Sequence, residues 1–415
     1  MAINKGQVTS IAGDTVRPVT EELHSDLADD FSLTRGGPLY RLQVRLGAAD
    51  EKHARILRRG LLGPLVTWLP LLILSLAQGQ AYNTHLRIPF LYDFAVNVRF
   101  LIALPILMIA ETGVSGGLRS AVAHFLKSGL VRQTDLPSFE AIIQRIIRLR
   151  DRSLPELLML IAAFLPSFST KSMELLTNDV STWHALPAGA GSSLSYAGWW
   201  FAFVSVPIFR FLLLRWLWRI IVWTYFLERV CRLDLDLVPT HADQAAGLGF
   251  LAEAQRRFVP IAFAGGSVIS AQVGNAIAFE GATVGGMKFV MIGYCAFAMI
   301  LLTAPLLVVA PKLIKARKEG LLEYSALESR YGHLFAAKWI HGMPPPNEPL
   351  LGSSDIQSLA DMGNSFVFLR SMLPIPIDRR TLIGLASAAA LPLIPTLILA
   401  TPTDELIRTV FRFLA

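Results

Sequence analysis

Residues Phe209–Trp223 read FRFLLLRWLWRIIVW. The stretch is apolar enough to sit in lipid, yet Arg210, Arg215 and Arg219 interrupt it. Composition says that lipid is the right setting. The chain is 53% hydrophobic and only 17% charged, against about a quarter charged in an average soluble domain. Several apolar runs approach the roughly 20 residues that cross a hydrocarbon core. The expected fold class is therefore all-α: a polytopic transmembrane helical bundle.

The net charge of +7 does not point to nucleic acid, because the positive residues cluster beside the apolar runs, as topology signals do. Cys231 and Cys295 fall at the end of one expected span and inside another. They form neither a disulfide framework nor a thiolate metal site. Residues 1–30 contain Asp and Glu and lack an apolar core, so no cleavable signal peptide is read there and the first span directs insertion.

Seven spans are expected, near 60–78, 94–111, 154–168, 196–217, 258–278, 288–309 and 381–400. The third is short, and Pro392 and Pro395 break the last. Lys and Arg alternate between the connections. Arg41, Arg45, Lys52, Arg55, Arg58 and Arg59 precede the first span, and only Arg87 follows it. Residues 112–153 and 224–257 are basic, 169–195 hold only Lys171, and 310–380 open with Lys312, Lys315, Arg317 and Lys318. This bias places the N-terminus in the cytoplasm and the C-terminus outside.

The organisation read from these patterns is a cytoplasmic tail at 1–37, an amphipathic membrane-surface helix at 38–59, six spans over 60–309, a cytoplasmic helical region at 310–380 and the last span with a C-terminal segment at 381–415. Residues 138–152 place Ile142, Ile143, Ile146 and Ile147 on one helical face. Residues 321–341 do the same with Tyr324, Leu327, Tyr331, Leu334 and Phe335. A Pro-rich link at 343–349 leads to a helix presenting Ile356, Leu359, Phe366 and Leu369. No internal repeat is visible.

In this orientation Arg215 and Arg219 fall near the cytoplasmic end of the fourth span, among Trp216, Trp218 and Trp223, and are expected to snorkel to the headgroups. Arg210 lies roughly 13 Å further out at 1.5 Å per residue. A mid-membrane arginine costs about 2.5–3.5 kcal/mol, so it faces a partner or a wet cavity. Glu111 and Glu156, at the inner ends of neighbouring spans, are the expected partners. In the fifth span Ala262, Gly266, Ser270, Gly274 and Ala278 recur every fourth residue. Such a stripe lets two helices approach closely, within the chain or in a homo-oligomer. Gln272 and Asn275 bring amides into the same helix, which must meet another helix, a second copy or water. This span is expected to be the least exposed to lipid.

The connection LERVCRLDLDLVPTHADQAAGLGFLAEAQRRF, residues 227–258, carries the remaining polar cluster. Asp234 and Asp236 alternate with leucines and point the same way in an extended segment. His241 and Asp243 sit at the mouth of a helix reaching Arg256 and Arg257. Three uses of these residues compete: a divalent-metal site, a phosphate or headgroup site at the helix N-terminus, and capping with ion pairing. No cofactor is named by the sequence. There is no GxSxG, no cysteine beside a histidine and no carboxylate pair within a span.

At LVPTHADQAAGLGFL and SDIQSLADMGNSF the chain resembles a group of bacterial multi-pass inner-membrane proteins. It departs from that pattern at Ala242 and Ala246, which stand where proline and glycine are usual. The resemblance implies a bacterial inner membrane and directs attention to His241, Asp243 and Gly247; it supplies no activity. The leading functional expectation is binding or passage of a small ion or solute beside Arg210, Gln272 and Asn275. The alternatives are a membrane enzyme using Asp234, Asp236, His241 and Asp243 on a phosphate-containing or lipid substrate, and a scaffold or sensor with a cytoplasmic partner. The bilayer itself, with anionic lipids at the basic face, is the expected surrounding.

The orientation has a direct check. With Cys231 and Cys295 replaced by serine, single cysteines introduced as Arg150→Cys and Arg317→Cys are expected to resist an impermeant maleimide supplied to the periplasmic face. Strong labelling at either position would invert the topology.

Overall fold

The computed structural model describes residues 53–169, 182–188, 191–342 and 354–399. The expected tail at 1–37, most of the surface helix at 38–59, the Pro-rich link and the segment after 399 lie outside the described residues. In chain order the helices are α1 (Gly60–Ala77), α2 (Phe94–Lys127), α3 (Leu136–Asp151), α4 (Ser153–Phe168), α5 (Tyr196–Cys231), α6 (Phe250–Glu280), α7 (Val284–Leu307), α8 (Ala310–Phe335), α9 (Ser354–Ser371) and α10 (Arg379–Ile398). Among the described residues six of these, α1, α2, α5, α6, α7 and α10, are long and apolar enough to cross a membrane. The third expected span, α4, is a shorter apolar helix. The chain is thus an all-α multi-pass membrane bundle. One small departure is a hairpin of β1 (Ala185–Ala188) and β2 (Gly191–Leu194), where the sequence suggested a plain loop.

Prolines shape two of the long helices. Pro105 and Pro207 have no N–H to donate, and each follows a π-helical turn, Arg99–Ala103 and Phe201–Ser205. The widened turn lets the helix continue through the proline instead of ending there. Both α2 and α5 then run well past the ends expected at 111 and 217. In α10 the break foreseen at Pro392 and Pro395 is present as a 3-10 turn, Leu391–Leu393.

The bundle has two polar ends. At the hairpin end, Ser195 caps α5: its Oγ accepts from Gly198 N at 2.8 Å and donates to Trp183 O at 2.8 Å. Gly198 is required there, because a Cβ would lie 2.3 Å from His184 O. At the loop end, an aromatic cluster of Phe125, Phe139, Phe226 and Phe250 joins α2, α3, α5 and α6. Phe139, Ile143 and Ile146 are buried, as the amphipathic pattern of α3 requires. The corresponding pattern in α8 is not buried: Leu327 and Leu334 are 50% and 66% exposed. The first half of α8 packs on the rest, where Gly320 admits Leu369 and Pro239. The second half is held to α9 through Tyr331 Oη to Asp355 O at 2.9 Å and Lys338 Nζ to Asp355 Oδ2 at 2.8 Å, and Tyr324 Oη meets Thr240 Oγ1 of the loop at 3.4 Å.

The small-residue stripe of α6 is spent within the chain. Ala262, Gly266, Ser270 and Gly274 are buried, whereas Ala278 is exposed and lies beyond the packed segment. At Gly266 the backbone of α10 comes so near that a Cβ would sit 2.6 Å from Ala389 O. One turn on, Ser270 Oγ meets Thr396 Oγ1 at 2.5 Å. As expected, α6 is the most enclosed of the six: 56% of its most apolar stretch is buried, against 28–44% in the others.

Gly266→Val is expected to lower stability by about 1–3 kcal/mol, the cost of overpacking, seen as a lower unfolding temperature in detergent. Gly293→Ala, with open space around its Cβ, should leave that temperature unchanged or slightly higher. Equal effects of the two changes would contradict the α6–α10 contact.

Candidate functional site

Polar side chains inside the bundle fall in three layers along α2, α5 and α6. The layer nearest the hairpin is built on Asp93, which is buried. Its Oδ1 accepts from Val96 N at 3.1 Å, capping α2, and from Asn275 Nδ2 at 2.8 Å; its Oδ2 accepts from Trp183 Nε1 at 3.0 Å. Asn275 Oδ1 in turn accepts from Phe94 N at 2.9 Å. Asn97 adds three donations to main-chain carbonyls and accepts from Trp68 Nε1 at 2.7 Å. Asn275 thus meets the partner its position demanded, in Asp93, a residue that the span pattern did not single out.

The layer nearest the loop end contains Glu111, and here the expected pairing is corrected. Glu111 Oε1 accepts from Arg219 Nη2 at 2.8 Å and lies 3.8 Å from Arg215 Nη1. The three side chains are 10%, 4% and 7% exposed, so Arg215 and Arg219 do not reach out to headgroups. They turn inward because α2 presents a carboxylate one helix away. Charge-assisted bonds in a low-dielectric interior outweigh snorkelling when the partner is preformed. Trp216 Nε1 donates to Leu107 O at 3.2 Å, fixing α5 against α2 in the same register. Glu156 lines the small cavity beside the pair, together with Arg150, Arg215 and Arg219.

Between these layers along the helices lie the half-buried Arg99 and Arg210, with Gln272 exposed at the bundle surface beside Arg99. Arg99, at the π turn of α2, donates from Nη2 to Gln272 Oε1 at 3.4 Å and stands over the Phe209 ring, 5.9 Å from its centroid. It lies within the fields of Asp93 and Arg210. Arg210 is not joined to Glu111; the nine residues that separate it from Arg219 put it two and a half turns away. Its Nη1 is buried and lacks a hydrogen-bond partner among the described residues. Two cations therefore share this region with one carboxylate, Asp93, whose bonds from Val96, Asn275 and Trp183 are all to neutral donors, so its charge offsets one arginine and leaves one positive charge in excess. Arg99 was detectable from the sequence, as an arginine inside an expected span. Its loop-end counterparts drew the attention instead.

The connection at 232–249 resolves into separate interactions. Asp234 and Asp236 do point the same way, toward Arg132: Asp234 forms an ion pair with it, and Asp236 Oδ1 lies 3.8 Å from its Nη2. Main-chain pairing of Val131 with Leu235 holds this extended segment in place. His241 and Asp243 pair with each other instead, Nδ1 to Oδ1 at 2.9 Å. Asp243 also accepts from Ala245 N at 2.8 Å, Gly247 N at 3.2 Å and Gly249 N at 2.8 Å. Burial opposes its charge, but these donors and His241 outweigh burial and hold the carboxyl below the usual carboxylate range. Gln244, Ala246 and Gly247 take left-handed backbone angles, φ 56°, 54° and 92°, to aim those N–H groups inward.

The four loop residues therefore do not converge, and no group of three or more His, Cys, Asp or Glu side chains suited to a metal occurs among the described residues. The expected anion site at this helix start is also corrected. At this helix start Gly249 N donates to Asp243 while Leu251 N and Ala252 N donate to Leu248 O and Gly249 O, Arg256 is ion-paired with Glu253, and Arg257 Nη2 lies 3.6 Å from the same carboxylate. Capping and ion pairing account for the residue types in this loop. No family model, curated protein or solved structure matches the chain, so function has to be argued from these layers alone.

Glu111→Gln is expected to cost about 3–5 kcal/mol, because it strands two buried guanidinium groups. The double change Glu111→Gln with Arg219→Met should recover part of that loss in a detergent unfolding assay. A neutral Glu111→Gln variant would mean the pair contributes nothing to the bundle.

Proposed function

We propose that the chain binds and passes a small anionic solute across a bacterial inner membrane, at the layer formed by Arg99, Arg210 and Gln272. In this reading α4, about 24 Å long at 1.5 Å per residue, is a seventh crossing, the basic loop end faces the cytoplasm and the hairpin end faces out. The observation that carries the proposal is an excess of positive charge in this layer, Arg99 and Arg210 against the single carboxylate of Asp93, with Arg210 Nη1 buried and unbonded. A second cation beside a first in hydrocarbon raises the cost of both, and an anion between them removes that cost. The π turns support the same assignment, since such turns concentrate at functional positions. Both helices that carry the two arginines have one. Gln272 adds an amide that can donate from Nε2 while its Oε1 accepts from Arg99.

A scaffold role has one observation in its favour: Leu322, Leu327, Leu334, Val367 and Phe368 on α8 and α9 are exposed at the loop end. Such a patch is the kind of surface that docks a soluble partner.

The anion reading is tested with purified protein in neutral-lipid vesicles, using chloride, acetate, methanesulfonate and phosphate as probes. At least one probe is expected to bind and to cross down its gradient. Arg99→Gln and Arg210→Gln should each lower the rate tenfold or more without lowering the unfolding temperature. Protein that binds none of the four probes overturns the proposal, as does an unchanged rate in both variants.

A further inference from the structure

One turn along α5 and α6 from Arg210 and Gln272 lies a cavity of a different character, lined by neither of them nor by Arg99. A space of about 370 Å³ lies between α5, α6 and α7, within the size range of small-molecule sites. Leu213, Leu214 and Leu217 line it from α5, Gly265, Val268 and Ile269 from α6, and Phe297 from α7. These positions stand in a fixed relation to the polar groups. Leu213, Leu214 and Leu217 are three, four and seven residues after Arg210, the spacing that keeps side chains on one helical face. Ile269, Val268 and Gly265 are three, four and seven residues before Gln272 on the antiparallel helix. Both walls of the cavity are thus continuations of the faces that carry Arg210 and Gln272.

The cavity offers a guest almost nothing polar. Its one phenol, Tyr294, already donates to Ala262 O at 2.5 Å. A hydrated ion gains nothing by entering such a space, whereas a hydrocarbon chain gains contact with the apolar walls of three helices. The two features together describe one ligand with two ends.

Resting on the anion reading above, we infer that the solute is amphiphilic: a single-chain anion whose head sits between Arg99, Arg210 and Gln272 and whose hydrocarbon tail occupies the cavity between α5, α6 and α7. Charge complementarity sets the head, and the apolar walls one turn away set the tail. Leu213 and Phe297 of its lining are 41% and 61% exposed on the bundle surface. A tail can therefore enter sideways from the bilayer, without a water-filled path for the whole molecule.

The test uses straight-chain alkanesulfonates from methane- to decanesulfonate, with protein in neutral-lipid nanodiscs and empty nanodiscs subtracted for partitioning. Affinity is expected to rise about fourfold per added methylene, then to level off once the cavity is full. Val268→Trp, which fills the cavity from α6, should flatten that rise, and Arg210→Gln should weaken every member of the series. Equal affinity for methane- and decanesulfonate would overturn the inference and leave the anion reading standing. No binding of any member would remove the anion reading and the inference together. Because the length series is read on the unaltered protein, it decides the matter even if Val268→Trp fails to fold.

Discussion

Hydrocarbon offers a charged side chain neither hydrogen bonds nor screening, and the interior of this bundle is arranged around that constraint. Glu111 answers it for Arg215 and Arg219, and Asp93 is answered in turn by Asn275, Trp183 and the start of α2. These bonds do more than neutralise. Apolar helix faces slide past one another at little cost, because lipid tails are as greasy as leucine. A bond of 2.8 Å between Arg219 and Glu111 does not slide. The ionic layers therefore fix the axial register of α2, α5 and α6, and the proposed anion layer lies between two fixed points.

Close helix approach supplies what the ionic layers do not. Gly266 and Ser270 bring α6 against α10, where backbone meets backbone and a hydroxyl pair closes the contact. The π turns before Pro105 and Pro207 act in the opposite sense, loosening α2 and α5 locally where Arg99 emerges and where α5 approaches Arg210.

Much of this was legible in the residues. Apolar runs located the six long helices, with starts near 60, 94, 196 and 379; Pro392 and Pro395 gave the break in α10, and the alternation at Asp234 and Asp236 gave their shared direction. The self-capping of the loop by Asp243 followed from residue types, because aspartate and glycine are chosen for local bonds. What escaped was whatever depends on the rotation of one helix relative to another. Periodicity shows that Arg215 and Arg219 share a face, but not that Glu111, more than a hundred residues earlier, looks at that face. The partnership of Arg132 with the two aspartates was hidden for the same reason. The extension of α2 to Lys127 was hidden differently: Gly113, Gly116, Gly117 and Ser120 look like loop by propensity, and tertiary packing keeps them helical. The apolar pattern of α8 was read correctly as helix, but nothing in a single face says whether a neighbour covers it, and Leu327 and Leu334 are exposed.

The contact between Gly266 and Ala389 also dictates an order of events during biogenesis. A ribosome must make more than a hundred further residues after Gly266 before Ala389 reaches the membrane. Until then the narrow side of α6, with Ser270 and its hydroxyl, faces acyl chains or the insertion machinery. The bundle consequently closes late, and a nascent chain halted before residue 379 presents a small-residue groove with an unmet hydroxyl, the kind of mark by which a membrane protease distinguishes an unfinished protein from a completed one.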